Sequence, residues 1–240
     1  MLEFYSNILM KILNAIILSL SLFTYSQENI VKVTYLKGLK KVTDTSSKKP
    51  SLLKDINYIL IANYTESIFK YEEKMSSSEI NLNKRFIGQG GGKGVYYKNN
   101  LTKEYFHQDD YKNQIYLIDL GEKKWILTKE KRLINNFTCF KAISEEKYFS
   151  AFLNKEIILK HIAWYTPEIP IPFGPTVFNG LPGLVISCQI GGYYFVADKI
   201  EFKKEKLEIK KPTKGIKISF EDFDKKHKEE IGEILKKRKG

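Results

Sequence analysis

Three histidines and two cysteines are all the imidazole and thiol chemistry in this chain of 240 residues. His107 opens the run His107-Gln108-Asp109-Asp110, whose side chains are metal-ligand types. Zinc needs three or four converging donors, however, and His161 and His227 lie far off, on an aromatic strand and a helical stripe. Asp109-Asp110 therefore reads as exposed turn chemistry. A Cys–His hydrolase needs a thiol beside an imidazole. Cys139 sits mid-strand between Phe137 and Phe140, with no helix N-terminus to lower its pKa. The run Gly88-Gln89-Gly90-Gly91-Gly92-Lys93-Gly94 resembles a phosphate loop only in its glycines. That loop needs Ser or Thr after the lysine and a helix to follow, whereas Gly94 and the strand-like Val95-Tyr96-Tyr97 come next. A flexible hairpin loop fits better. No catalytic, cofactor-binding or metal-ligating residue is expected.

One segment stands apart: Ala163-Trp164-Tyr165-Thr166-Pro167-Glu168-Ile169-Pro170, then Gly174-Pro175, Phe178 and Gly180-Leu181-Pro182-Gly183-Leu184-Val185. Proline fixes φ and removes a donor, and glycine opens dihedrals closed to other residues. Such a stretch builds a rigid, non-repetitive connection. It presents Trp164, Tyr165, Glu168 and Phe178 either as a ligand or partner surface or as a structural corner that plugs the end of a sheet with rings. The second reading is favoured. Glu168 is the single acid here, and with no partner acid it suggests a turn hydrogen bond or an ion pair.

This segment resembles the signature of the GLPGLI family, secreted proteins of the Bacteroidetes, with Val185 in place of the closing isoleucine. Ser67 with Phe69, Trp125 with Ile126 and Lys131, and Cys139-Phe140-Lys141-Ala142 extend the resemblance over most of the chain after the leader. It departs at the glycine loop, at the long interval 144–160 and at Asn136, all on loops and turns. The resemblance implies an exported protein with no established activity. Cys139 matches a position where the family carries cysteine and Cys188 does not, which favours a free buried thiol over a Cys139–Cys188 disulfide. Such a bridge would close a loop of about 50 residues and could contribute about 4 kcal/mol.

The elements that must hold these residues are mostly strands. Polarity alternates over short stretches at 30–36, 95–98, 104–107, 115–118, 125–128, 137–143 and 157–165, with a further strand expected at 148–153. The stretch 58–71 alternates with one break, read as a bulge or bend. Polar loops are expected at 46–53 and 74–84. Strands 184–190 and 193–201 should form a hairpin through Gly191-Gly192. Only the end looks helical, over about 219–238. There Ser219 can cap and Asp222 follows at the third position, Phe220, Phe223, His227, Ile231, Ile234 and Leu235 form a stripe, and lysines crowd the C-terminus. The fold expected is mainly β: a single antiparallel, strongly curved sheet or open barrel, comparable to lipoprotein carriers by topology, with one C-terminal helix.

Residues 1–26 read as a secretory signal peptide, with Lys11 ahead of an apolar run over 12–23 and small residues at the cut. Met10 is an alternative start. The run is short for a bilayer-spanning helix, and no cysteine at the cut offers a lipid anchor. Residues 27–240 read as one β domain, placed in the periplasm or outside the cell. Glu3 and Lys11 cancel within the leader, so the net charge of +12 belongs to the exported part. Its lysines are dispersed, which fits solvated strand edges better than a nucleic-acid stripe. The function expected is non-catalytic binding of a hydrophobic or extended ligand, or of an outer-membrane transport component. A hydrolase of envelope peptides or glycans and a structural envelope protein are the alternatives.

Overall fold

Alternation along the chain is converted directly into two sheet faces. The computed structural model describes residues 30–39, 51–72, 87–150, 155–203 and 207–237; the signal peptide expected at 1–26 and the loop expected at 74–84 lie outside the described residues. In β1 (Ile30–Leu39), Val31, Val33 and Tyr35 are fully buried while Lys32, Thr34 and Leu36 between them are half-exposed. One face is thus packed and the other partly solvated, as a period of two requires.

Two meanders build the sheet. The first runs through β1, β2 (Ser51–Ala62), β3 (Glu66–Tyr71), β4 (Val95–Asn99), β5 (Glu104–Tyr111) and β6 (Gln114–Asp119). The second runs through β7 (Ile126–Ile134), β8 (Phe137–Ser150), β9 (Lys155–Thr166), β10 (Leu184–Ile190) and β11 (Tyr193–Lys203). Antiparallel pairing of β1 with β11 joins them. Together with β12 (Ile216–Ser219) they form, among the described residues, one 12-stranded sheet ordered β12-β6-β5-β4-β3-β2-β1-β11-β10-β9-β8-β7. It stays open, ending at β12 and β7. The mainly β expectation is met, with one exception to antiparallel pairing: β12 lies parallel to β6, because the chain returns to that edge through a long connection rather than a hairpin.

The expected single run at 58–71 is two strands. Asn63 accepts hydrogen bonds from the Thr65 and Glu66 N–H groups at 2.9 and 2.8 Å, an Asx turn that reverses the chain. Residues 51–53, expected in a loop, belong to β2. Asp109 and Asp110 lie inside β5, and the turn falls instead at Lys112 and Asn113, both with positive φ. Of the separate strand expected at 148–153, residues 148–150 are the far end of β8, which pairs with β9 out to Ser150 and Lys155, and 151–153 lie outside the described residues.

The helix, α1 (Phe220–Lys237), begins as its sequence suggests. The Asp222 N–H donates to Ser219 Oγ at 3.0 Å, and that hydroxyl donates to the Asp222 carboxylate at 2.7 Å. Phe223 and His227 pack against Tyr111, and Phe223 also against Tyr116. Phe220 departs from the expected stripe and is 49% exposed.

Candidate functional site

The proline- and glycine-rich segment between β9 and β10 packs on the inner face of the sheet and is cross-linked by its own backbone. Ile171 and Phe173 donate to the carbonyls two residues back, each at 2.8 Å, in the geometry of γ-turns. Phe178 donates to Pro175 and Gly180 to Pro172, each at 3.0 Å. Leu184 and Val185 then donate back to Ile169 and Phe173. Gly183 is required by proximity, since a Cβ there would fall on the Thr166 carbonyl oxygen. Ile169, Ile171, Phe173, Phe178 and Leu181 are buried in the core. The inner face is therefore filled by the chain itself.

Three side chains distant in sequence, two on strands and one just before β7, secure this insert and the β10 residue that follows it. Lys98, fully buried on β4, donates to the carbonyls of Gly174 at 2.8 Å and Phe178 at 3.0 Å. The Tyr35 hydroxyl donates to the Val185 carbonyl at 2.6 Å. The Trp125 indole N–H donates to the Asn179 carbonyl at 2.8 Å, and its ring stacks on Phe178 at 5.4 Å. Burial pushes the Lys98 ammonium down to about 7, because an ion loses hydration that two neutral carbonyls only partly replace.

The four residues singled out for a ligand surface do not meet. Phe178 is buried within the insert and Tyr165 in the core beside Phe140. Glu168 accepts the Thr138 N–H at 2.8 Å, which matches the turn hydrogen bond expected of a lone acid. Trp164 projects from the opposite face of β9, where the Arg132 guanidinium lies 3.8 Å over its ring, a cation–π contact. An apolar row continues from it on that outer face. Ile126 pairs with Ile143 and Ile143 with Ile162. Ile126 is 67% exposed and Ile158, farther along β9, 66%. Ion pairs border the row, Lys141 with Glu130 on one side and Lys160 with Glu145 on the other.

Cys139 and Cys188 are both buried free thiols. The register places them on opposite faces with β9 between, Cys188 level with Ala163 and Ala142 and Cys139 three residues farther along β8, so two strand spacings and that offset put them on the order of 14 Å apart, beyond the reach of a disulfide. Burial raises both thiols, Cys139 to about 11, so neither is a thiolate near neutral pH. His161, buried on the inner face beside Phe178, is pushed down to about 4, first by burial and then by Lys123. Among the described residues no group of three or more His, Cys, Asp or Glu gathers to hold a metal ion, and no helix is long and apolar enough to cross a membrane.

The glycine loop is compact rather than open. It makes a 3-10 turn at Gln89–Gly91 and closes over Lys37, a second buried lysine. The Lys37 ammonium lies 5.3 to 5.6 Å from the ring centres of Tyr193, Phe195 and Tyr58. Both Lys37, at 3.2 Å, and the Tyr58 hydroxyl, at 2.8 Å, donate to the Ile87 carbonyl. The far side of the loop is held by His107, which stacks on Tyr96 and whose Nε2 lies 2.8 Å from the Lys93 carbonyl. Since a carbonyl only accepts, that nitrogen carries the proton. Neither buried lysine was apparent from sequence; strand parity alone could have signalled them, since Lys37 shares the buried parity of Val33 and Tyr35.

Residues 145–187 match a family model described as a protein of unknown function (Porph_ging). The match spans the end of β8, β9 and the whole insert. No curated protein matches the chain. Among solved structures, PNGF-II resembles it in two crystal forms. In space group C2 the TM-score is 0.53 at 14% identity, and in P21 it is 0.52 at 15%. Each comparison covers 82% of this chain and 32% of PNGF-II, so the chain spans about a third of that protein's length. At such identity the likeness is one of fold.

Proposed function

We propose that this chain is an exported, non-catalytic binding protein of the cell envelope that takes an apolar or extended partner, an outer-membrane transport component among the candidates, on the outer face of β7, β8 and β9. The observation that carries the reading is the row Ile126–Ile143–Ile162 beside Trp164, left in contact with solvent while the inner face is packed with the chain's own insert. An apolar centre with a charged border is the anatomy of a protein interface. Covering a mostly exposed isoleucine returns about 1.5–3 kcal/mol, so a few such residues around a tryptophan and arginine anchor make a useful site.

The state of the polar groups supports binding over hydrolysis. Glu168 is engaged by a backbone N–H, and both thiols are buried and protonated. Placing a photo-crosslinking amino acid at Ile158, with Leu101 as an exposed control far along the sheet, tests the assignment in the native envelope. Discrete adducts from position 158 and none from 101 are expected. Adducts equally sparse at both positions would remove the outer face from consideration.

A further inference from the structure

We propose that a cleft of ≈ 220 Å³ between the β6–β7 connection, β8 and the insert is a binding site for a small organic monocarboxylate with an apolar tail. This cleft is separate from the outer face of β7–β9, and the proposal stands independently of the partner reading. Its size lies below the roughly 300–1,000 Å³ of sites for drug-sized molecules, which restricts the occupant to a short chain or a single small ring.

The charge balance selects an anion. Three lysines, Lys98, Lys123 and Lys147, line the cleft against two glutamates, Glu122 and Glu146. Both glutamates already have partners. Glu122 accepts from Lys103 at 2.6 Å and from the Tyr105 hydroxyl at 3.0 Å, and Glu146 pairs with Lys123. Lys98 has only the Gly174 and Phe178 carbonyls as acceptors among the described residues, while an ammonium carries three protons. A buried cation without an anion is costly unless one arrives. With Glu122 paired to Lys103 and Glu146 to Lys123, Lys98 and Lys147 remain. Lys147 is exposed to water while Lys98 is buried, so one buried cation is left and a carboxylate supplies its one negative charge. A phosphate dianion would bring a second charge toward Glu122 and Glu146.

The rest of the lining selects a tail. Leu120, Val177 and Phe220 contribute apolar surface to the same cleft, and Phe220, left 49% exposed at the start of α1, is the wall most easily covered by a ligand. Burial of that ring by an aliphatic chain adds hydrophobic stabilisation to the ion pair.

The test is titration of ¹⁵N-labelled protein with sodium hexanoate, with its neutral analogue hexanamide and with inorganic phosphate, following the amide signals of Gly121, Val177 and Asn179. Hexanoate is expected to move these signals saturably at millimolar concentration, hexanamide at least about tenfold more weakly, and phosphate not at all. Lys98→Met should weaken hexanoate binding about tenfold or more. Should that variant not fold, Phe220→Ala, at a partly exposed position, should weaken hexanoate severalfold at unchanged thermal stability. Absent saturation by hexanoate, equal binding of hexanamide, preference for phosphate, or wild-type affinity in the variants would each overturn the proposal.

Discussion

Lys98 and Phe178 stand 80 positions apart, yet the buried ammonium of one donates to the backbone carbonyl of the other at 3.0 Å. With Gly174 as second acceptor at 2.8 Å, a single charge on β4 fixes two points of the insert between β9 and β10. The first meander thereby clamps the second at a place the sheet ladder does not reach. A leucine at position 98 would be easier to bury but could hold neither carbonyl, and unpaired carbonyls in the core are costly. A lysine kept dry in this way must influence how stability depends on pH.

Stability should rise on moving from pH 7 toward pH 9. Burial lowers Lys37 and Lys98 to about 7, from 10.5. Between those values the unfolded chain binds more protons than the folded one, so unfolding becomes harder as pH increases, with a limiting slope of about 1.4 kcal/mol per pH unit for each lysine. His161, lowered to about 4 by burial and Lys123, acts in the same direction below its unfolded value of 6.5, so stability falls further toward pH 4. Above about pH 9 the thiols of Cys139 and Cys188, raised by burial, oppose the rise, and above about pH 10 the raised hydroxyls of Tyr35, Tyr58 and Tyr96 reverse it, because only the unfolded groups ionise. Urea midpoints at pH 6.5 and 9 measure this, and Lys37→Met and Lys98→Met should each flatten the rise. A wild-type midpoint that is higher at 6.5 contradicts the burial of these ammonium groups.

Tyr35→Phe should cost about 1–2 kcal/mol. The ring stays, so no cavity forms, but the Val185 carbonyl loses the hydroxyl that donates to it at 2.6 Å in the core. Chemical denaturation of the two proteins gives the difference directly. An unchanged midpoint would show that this bond contributes nothing to holding the insert.

Strands and helix were legible because both are local patterns. Val31, Val33 and Tyr35 declare a buried face by spacing alone, and Ser219 with Asp222 declares a helix start. The turn at Asn63 was also written in the sequence, but alternation resumed at Ser67 after a single break, so the reversal passed for a bulge or bend. The dispersal of the proposed surface was not legible. Trp164 and Tyr165 are neighbours in sequence and must point to opposite sides of a strand, whereas the partners that settle their fates, Arg132 and Phe140, depend on register. The burial of Lys37 and Lys98 was hidden for a related reason: lysine is a surface residue by composition, the carbonyls that accept these two lie 50 to 80 positions away, and two of the three rings around Lys37 come from the far end of the chain, on β11.

Gly92→Ala should be among the most damaging small substitutions in the protein, at about 3 kcal/mol or more. The added methyl would fall on the Ile87 carbonyl oxygen and the Tyr58 hydroxyl and would lie 2.7 Å from the Lys37 ammonium. Gly192→Ala is the matched control, because nothing lies within 4 Å of a methyl there. Thermal melts of the pair should separate widely. Equal melting temperatures would mean that the glycine loop does not close over Lys37.

Glu168 offers a way to separate a structural carboxylate from a reactive one. It lies in the segment that most invites a catalytic reading, yet its recorded role is to accept the Thr138 N–H at 2.8 Å while its own N–H donates to Thr166 Oγ1 at 3.3 Å. A backbone donor needs only an oxygen acceptor. Glu168→Gln retains one of the same shape and should leave the midpoint within about 0.5 kcal/mol of wild type, whereas Glu168→Ala leaves the Thr138 N–H to water at this exposed turn and should cost about 1 kcal/mol. A carboxylate required for its charge would give the reverse pattern, with Gln as damaging as Ala. The two midpoints, read beside each other, therefore decide whether position 168 needs an acid or only an acceptor.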